Sequence, residues 1–243
     1  MRRRGSFVTF HLPGGRAAGR DAICPARFYV EMGRILRSLT NLSVSEFLES
    51  AGAGTPTPGG GAVVAVAGAL CASMLEMPLR FTAGKRRFAD VEKRARELIG
   101  EVVCARESFE QLVSRDAQGY AAVAEALRMP RESDEERSAR REAINEAMLG
   151  ALEPPLEMVR LCLRLSRVAG EVLEIGNPNL SGDTAVAASL LPGAARAAAL
   201  NVRQNLSACG EDRRRELSKE LADSLAEIRR ECERVAGQVE EKL

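Results

Sequence analysis

Asp116 holds the position in this 243-residue chain that is hardest to explain without chemistry. Apolar side chains recur at Val91, Ala95, Leu98, Val102, Ala105, Phe109 and Leu112, in steps of four and three, which predicts a long amphipathic helix over residues 90–128, about 60 Å at ~1.5 Å per residue. The same steps run on to Asp116, Gly119 and Val123, which puts a carboxylate on the core-facing stripe. A carboxylate there costs several kcal/mol unless it is neutralised, hydrogen-bonded or set in a wet cavity. Burial raises its pKa toward the range useful to a general acid or base. The pattern also fits a helix that turns slightly at its end and leaves Asp116 solvated or paired with a neighbouring arginine.

The second chemical candidate is GTPTPGGG, residues 54–61, directly before the most apolar run of the chain. Gly54 and Gly59 match the separation in a phosphate-binding loop, but Gly60 and Gly61 stand where that loop needs Lys and Ser or Thr, and no strand precedes it. A glycine-rich turn at a helix N-terminus still offers free N–H groups to an anion or a flat ligand. Spacing alone leaves two readings open, a tight structural turn and the wall of a ligand cleft.

Other candidates carry a bland reading beside the functional one. Lys85, Arg86 and Arg87 form a basic cluster after the apolar run, either a solvated loop or an anion clamp. Asp183 ends the loop Asn177–Asp183 and suits a helix N-cap. Asn201 and Asn205, four apart, present amides on one helix face, to a heterocycle or to a neighbouring helix end. Ser73, Cys71 and Cys104 have no histidine to activate them, because the only His is His11. Acid–base work in the ordered part therefore falls to carboxylates, Lys, Tyr or Cys.

The elements that must position these groups read as helices. Ser43-Val44-Ser45-Glu46 is a capping box that opens a short helix ending near Gly52. Residues 62–77 form an apolar helix rich in Ala, Gly and Ser, suited to the middle of a bundle. Its length is the lower limit for a membrane span, and a buried central helix is the preferred reading. Pro78 is expected to end it early. Further helices are expected over 133–150, about 155–175 after Pro154-Pro155, about 184–207 with a kink at Pro192-Gly193, and about 212–242. Gly176 is expected to cap the 155–175 helix. No run of alternating β-branched residues competes, so the fold class is all-α, a bundle of five to six main helices.

Charge and cysteine usage narrow the function classes. Residues 1–40 hold eight Arg against Asp21 and Glu31, so the remaining 27 basic and 32 acidic side chains leave the body at −5. A mildly acidic body attracts nucleic acid poorly. Residues 1–41 read as an irregular Arg-rich N-terminal extension, either a transit-like segment or sequence upstream of a start at Met32, and 42–243 as the helical domain. Six Cys without a CxxC pair read as reduced cytosolic thiols filling cores, which excludes a zinc site or a disulfide frame and points to the cytoplasm.

SVSEFLESAGAGTPTPGGGAVVAVAGALCASM, TAGKRRFADVE, RDAQGY, GNPNLSGD and NVRQNL, in that order, resemble the cyclodeaminase/cyclohydrolase family over about residues 42–240. That family includes the C-terminal domain of formiminotransferase-cyclodeaminase and free-standing bacterial methenyltetrahydrofolate cyclohydrolases. The resemblance implies an all-α homodimer binding a tetrahydrofolate derivative, without metal, at a cleft near the dimer interface. It implies loss of ammonia from 5-formimino-tetrahydrofolate with closure to 5,10-methenyl-tetrahydrofolate, with hydrolysis of the methenyl bridge as the alternative reaction. A non-catalytic folate-binding or helical interaction protein is the alternative from another class. The resemblance makes Asp116 the acid/base and Asp183 a second carboxylate. It assigns Lys85 and Arg86 to the glutamyl carboxylates. Pro58, Gly59, Gly60 and Gly61 become the cleft wall, and Asn177, Asn201 and Asn205 further binding groups. Pro78-Leu79-Arg80 and Pro192-Gly193 depart from the family's usual residues.

Overall fold

The computed structural model describes residues 39–242, and every element there is helical, as the periodicity predicts. One short helix, α1 (Val44–Gly52), precedes six long ones: α2 (Gly60–Arg80), α3 (Glu92–Arg128), α4 (Asp134–Gly150), α5 (Glu153–Ile175), α6 (Ser181–Asn205) and α7 (Glu211–Glu240). His11, Cys24 and Met32 lie outside the described residues.

Helix α2 is the centre. It packs on α3, α5 and α6, while α6 also packs on α5 and α7. Small residues allow this close approach. A Cβ on Gly68 would lie 2.4 Å from the Phe109 ring, so that glycine lets α2 and α3 meet around a fully buried phenylalanine. Ala187, Ala194, Ala195, Ala198 and Ala199 do the same along α6. The α3 seam is buried from Ala95 to Leu112, each large side chain contributing about 1.5–3 kcal/mol. Ion pairs then fix the register of the outer helices: Arg94 to Glu171 and Arg115 to Glu157 tie α3 to α5, and Arg160 to Glu220 and Arg167 to Glu227 tie α5 to α7. Half-exposed pairs of this kind each add little stability.

The expectation at Pro78 is corrected. Helix α2 runs through Pro78 to Arg80, because the turn around the proline is held by other bonds. Phe81 N–H donates to Met77 O at 3.1 Å, Ala83 N–H to Leu79 O at 2.9 Å and Thr82 Oγ1 to Pro78 O at 2.8 Å. Helix α6 is likewise continuous through Pro192. Gly176 does cap α5, its N–H donating to Val172 O at 2.8 Å, but with φ −68°. It is glycine because a Cβ would lie 2.4 Å from that same carbonyl oxygen. The capping box at Ser43 and Glu46 is formed, and Ser133 with Glu136 makes a second one at α4. Cys71, Cys162, Cys209 and Cys232 are buried and Cys104 is exposed.

Candidate functional site at the N-terminus of the central helix

Asp116 and the three glycines, 55 residues apart in sequence, meet in space. A Cβ on Gly61 would lie 2.0–2.2 Å from all three carboxylate atoms of Asp116, so the carboxylate rests directly on the Gly61 backbone. It accepts a hydrogen bond from the Ala62 N–H. Gly59 is the N-cap of α2 and has no side chain to offer, so the first-turn donors of the helix are left to Asp116 and to whatever binds there. Pro58 is buried beneath this turn, while Gly60 faces outward.

The position of Asp116 follows from helical geometry. A straight helix drifts by about 20° per seven residues against a four-three seam. After Leu112 the buried stripe of α3 accordingly passes to Val113 and Ala117. Asp116 is left on the flank of the stripe, half-buried, where it reaches the end of α2. Burial pushes its pKa up, and the Ala62 N–H partly offsets this. Among the described residues no cation contributes: the adjacent Arg115 is engaged with Glu157 at 2.6 Å. Tyr120, one turn on, is exposed on the same side of α3.

The asparagines of α6 belong to this end of the molecule. Gly119 lies against Ala151, whose Cα would be 3.1 Å from an added Cβ, and Asn205 Nδ2 donates to Ala151 O at 3.2 Å. Asn205 thus holds the end of α4, the structural role its spacing left open. Asn201, half-buried, is one turn earlier.

The remaining candidates gather at the opposite end of α2. Gly176 packs on Pro78, so the 176–183 segment lies by the C-terminal turn of α2. Gly61 and Pro78 are separated by about 25 Å of helix at ~1.5 Å per residue. Helix α6 therefore runs antiparallel to α2, with Asp183 in its first turn beside Pro78 and Asn205 near Gly61. Asn177 Oδ1 accepts from Arg87 at 3.0 Å and caps the turn 178–180 through Asn179 N–H at 3.2 Å. Arg87, rather than Lys85 or Arg86, is thus the cluster member tied to the Asn177 loop, and it stacks 4.5 Å from the Phe88 ring. Sequence reasoning singled out the cluster but not this bond, which joins residues 90 apart. Lys85 and Arg86 are exposed on the turn that Gly84, at φ 76°, makes possible.

Within one chain, then, Asp116, Pro58, Gly59, Gly60, Gly61, Asn201 and Asn205 form one pole, and Lys85, Arg86, Asn177 and Asp183 the other. A separate cleft lies at neither pole. It measures about 790 Å³ between α6 and α7, near Arg196, Arg203 and Arg229. Among the described residues no group of three or more His, Cys, Asp or Glu is placed to hold a metal ion.

The described body is thus an all-α bundle with a half-buried carboxylate set against the start of its central helix. The chain belongs to the formiminotransferase-cyclodeaminase family, whose model matches residues 43–224, as the motif resemblance indicated. A methenyltetrahydrofolate cyclohydrolase of Methylorubrum extorquens is 34% identical over 206 residues, 84% of this chain and 98% of that protein. The formimidoyltransferase-cyclodeaminase of Mus musculus is 31% identical over 205 residues, 84% of this chain but only 38% of the mouse protein. The crystal structure of a formiminotetrahydrofolate cyclodeaminase from Thermotoga maritima matches with a TM-score of 0.73 and 29% identity, over 82% of this chain and 96% of that one.

Proposed function

We propose that the protein acts on the one-carbon unit bridging N5 and N10 of a tetrahydrofolate derivative, with Asp116 as the proton-transfer group. The observation that carries this is the Asp116 carboxylate seated on Gly61 and the Ala62 N–H, half-buried and without a cation partner among the described residues. Hydrolysis of the 5,10-methenyl bridge to the 10-formyl product is the preferred reaction, supported by the nearly end-to-end match to a cyclohydrolase. Water attacks the methenyl carbon and gives a proton to Asp116. The bond from that carbon to N5 then breaks as Asp116 returns the proton to N5, and the hydroxyl proton leaves to solvent. Until water adds, the ionised carboxylate faces the cationic carbon and favours it electrostatically.

Closure of the formimino derivative with release of ammonia is the second reading, supported by the likeness to the Thermotoga cyclodeaminase. There N10 attacks the formimino carbon, the N10 proton passes to the formimino nitrogen, and Asp116 delivers the second proton with which ammonia departs. The glycine wall admits a flat pterin, and the remaining first-turn N–H groups of α2 meet its electron-rich edge. Lys85 and Arg86 suit the carboxylates of the glutamyl tail. The protein works as a cytoplasmic homodimer, without metal, nucleic acid or membrane. Two segments, Gly60–Arg80 and Pro178–Ala208, are apolar and long enough to span a bilayer, but they form the central helices of the bundle, half or nearly half buried.

The test is spectroscopic. The near-ultraviolet band of the methenyl compound should vanish on addition of enzyme, or grow from the formimino substrate. Asp116→Asn should slow that change by about 10²-fold or more. Neither change with wild-type protein, or full activity in Asp116→Asn, would sink the proposal.

A further inference from the structure

We infer that Tyr120 determines the charge specificity of the site: the face of its ring receives the cationic one-carbon bridge and separates that cation from a neutral folate. This rests on the folate reading above, and goes beyond it in naming the group that selects the charge of the bound molecule.

The position of Tyr120 follows from two contacts between α2 and α3. A Cβ on Gly61 would meet Asp116, and a Cβ on Gly68 would meet Phe109. Seven residues up α2 thus correspond to seven residues down α3, and the two helices run antiparallel. Tyr120, one turn past Asp116, stands about 6 Å further along that axis. Helix α2 starts at Gly60, so Tyr120 is level with the chain just before its first residue. The rotation of α3 is fixed there by Asp116 against Gly61 and by Gly119 against Ala151. Residues four apart share a helix face, and a helical side chain leans toward the N-terminus over the turn before it. The ring of Tyr120 therefore covers the turn that carries Asp116, beside the open start of α2.

The surroundings give the ring its role. The glycine wall of residues 59–61 offers no side chain. Among the described residues the exposed aromatic side chains are Tyr120, 41% exposed, and Phe81, which is at the far end of α2. Tyr120 is thus the exposed ring of the Asp116 pole.

The methenyl compound carries a positive charge on its planar N5 to N10 bridge, and the formyl compounds carry none there. That cation occurs in either reaction, as substrate of the hydrolysis or as product of the closure. The first-turn N–H groups of α2 repel a cation and suit the electron-rich edge of the pterin. The bridge then faces the α3 side, where a carboxylate and the electron-rich face of a tyrosine stand one turn apart. Asp116 attracts the cation only while ionised. The ring face attracts it whatever the protonation of Asp116, so it holds the preference for the cation throughout the proton transfer.

Equilibrium binding in an Asp116→Asn background tests this, because that chain turns over slowly and lacks the carboxylate's own attraction. Two probes are compared at mildly acid pH, where the free bridge survives: 5,10-methenyl-tetrahydrofolate, the cation, and 5-formyl-tetrahydrofolate, without charge on its one-carbon unit. Tyr120→Leu keeps an apolar side chain and removes the ring. It should weaken binding of the methenyl compound by about 3- to 30-fold and of the formyl compound by less than about twofold. Tyr120→Phe keeps the ring face and should bind both compounds as its parent does. Equal losses for the two compounds in Tyr120→Leu, or no loss, overturn the inference. A loss in Tyr120→Phe as large as that in Tyr120→Leu assigns the effect to the hydroxyl and overturns it too. If neither compound binds even the wild-type chain, the folate reading fails and this inference with it. If the wild type performs neither reaction yet Tyr120→Leu selectively loses the cation, the reaction assigned above fails and the role of the ring stands.

Discussion

At the scale of single residues, Gly61 and Asp116 are one device. The carboxylate occupies the volume that any side chain at 61 would fill, with contacts of 2.0–2.2 Å to an added Cβ. Gly61→Ala should therefore cost about 1–3 kcal/mol and lower turnover in step with Asp116→Asn, because the carboxylate must swing off the helix start. Gly60→Ala, with nothing within 4 Å, should leave thermal stability unchanged or slightly raised. Melting curves of the pair check the contrast.

The pH dependence of Asp116 has a definite sign. Its folded pKa is raised above the unfolded value, so ionisation costs stability as pH rises through the region above 3.8 and the cost is full beyond the folded pKa. Asparagine keeps an acceptor for the Ala62 N–H without the charge. Asp116→Asn should thus melt close to wild type at the acid end and rise above it toward neutrality, by the few degrees that ~1 kcal/mol confers. A constant difference between pH 3.5 and 8 would contradict a desolvated carboxylate.

Among elements, the spacing of α2 and α3 decides whether the site exists. Gly68 and Phe109 set it two turns below Gly61, since a Cβ at 68 would meet the ring at 2.4 Å. Gly68→Ala should push the helices apart, lower the unfolding free energy by about 1–3 kcal/mol and weaken ligand binding, measured as a smaller thermal shift with a tetrahydrofolate analogue. Most of these elements were legible in the sequence, because the four-three period and the capping box at Ser43 are local signals. Pro78 misled the reading of one boundary. A lost N–H weighs heavily in sequence terms, but Thr82 and the tertiary contacts of two core helices outweigh it. Asp116 was legible as an anomaly of period. That it caps α2 was not, since nothing local connects residues 61 and 116. The Arg87–Asn177 bond was hidden for the same reason.

For the whole molecule, the proposed homodimer carries the prediction, and a stripe of exposed apolar side chains, Val63 and Leu70 on α2 with Val186, Leu190 and Leu200 on α6, is where it is tested. Leu190→Glu places a charge at its centre, on a side chain that is half exposed in the single chain and makes no demand on the core. It should shift the protein to monomer in sedimentation or light scattering while helical circular dichroism is kept.

The hydrogen bond from Ala62 to Asp116 also makes the central helix a reporter of its own reaction. Each proton that Asp116 gains or gives up alters the acceptor on which the first turn of α2 hangs. The backbone amide of Ala62 is therefore a built-in indicator: its nitrogen and proton resonances follow the charge of Asp116, so the proton transfer proposed for that carboxylate can be followed in a neighbouring residue.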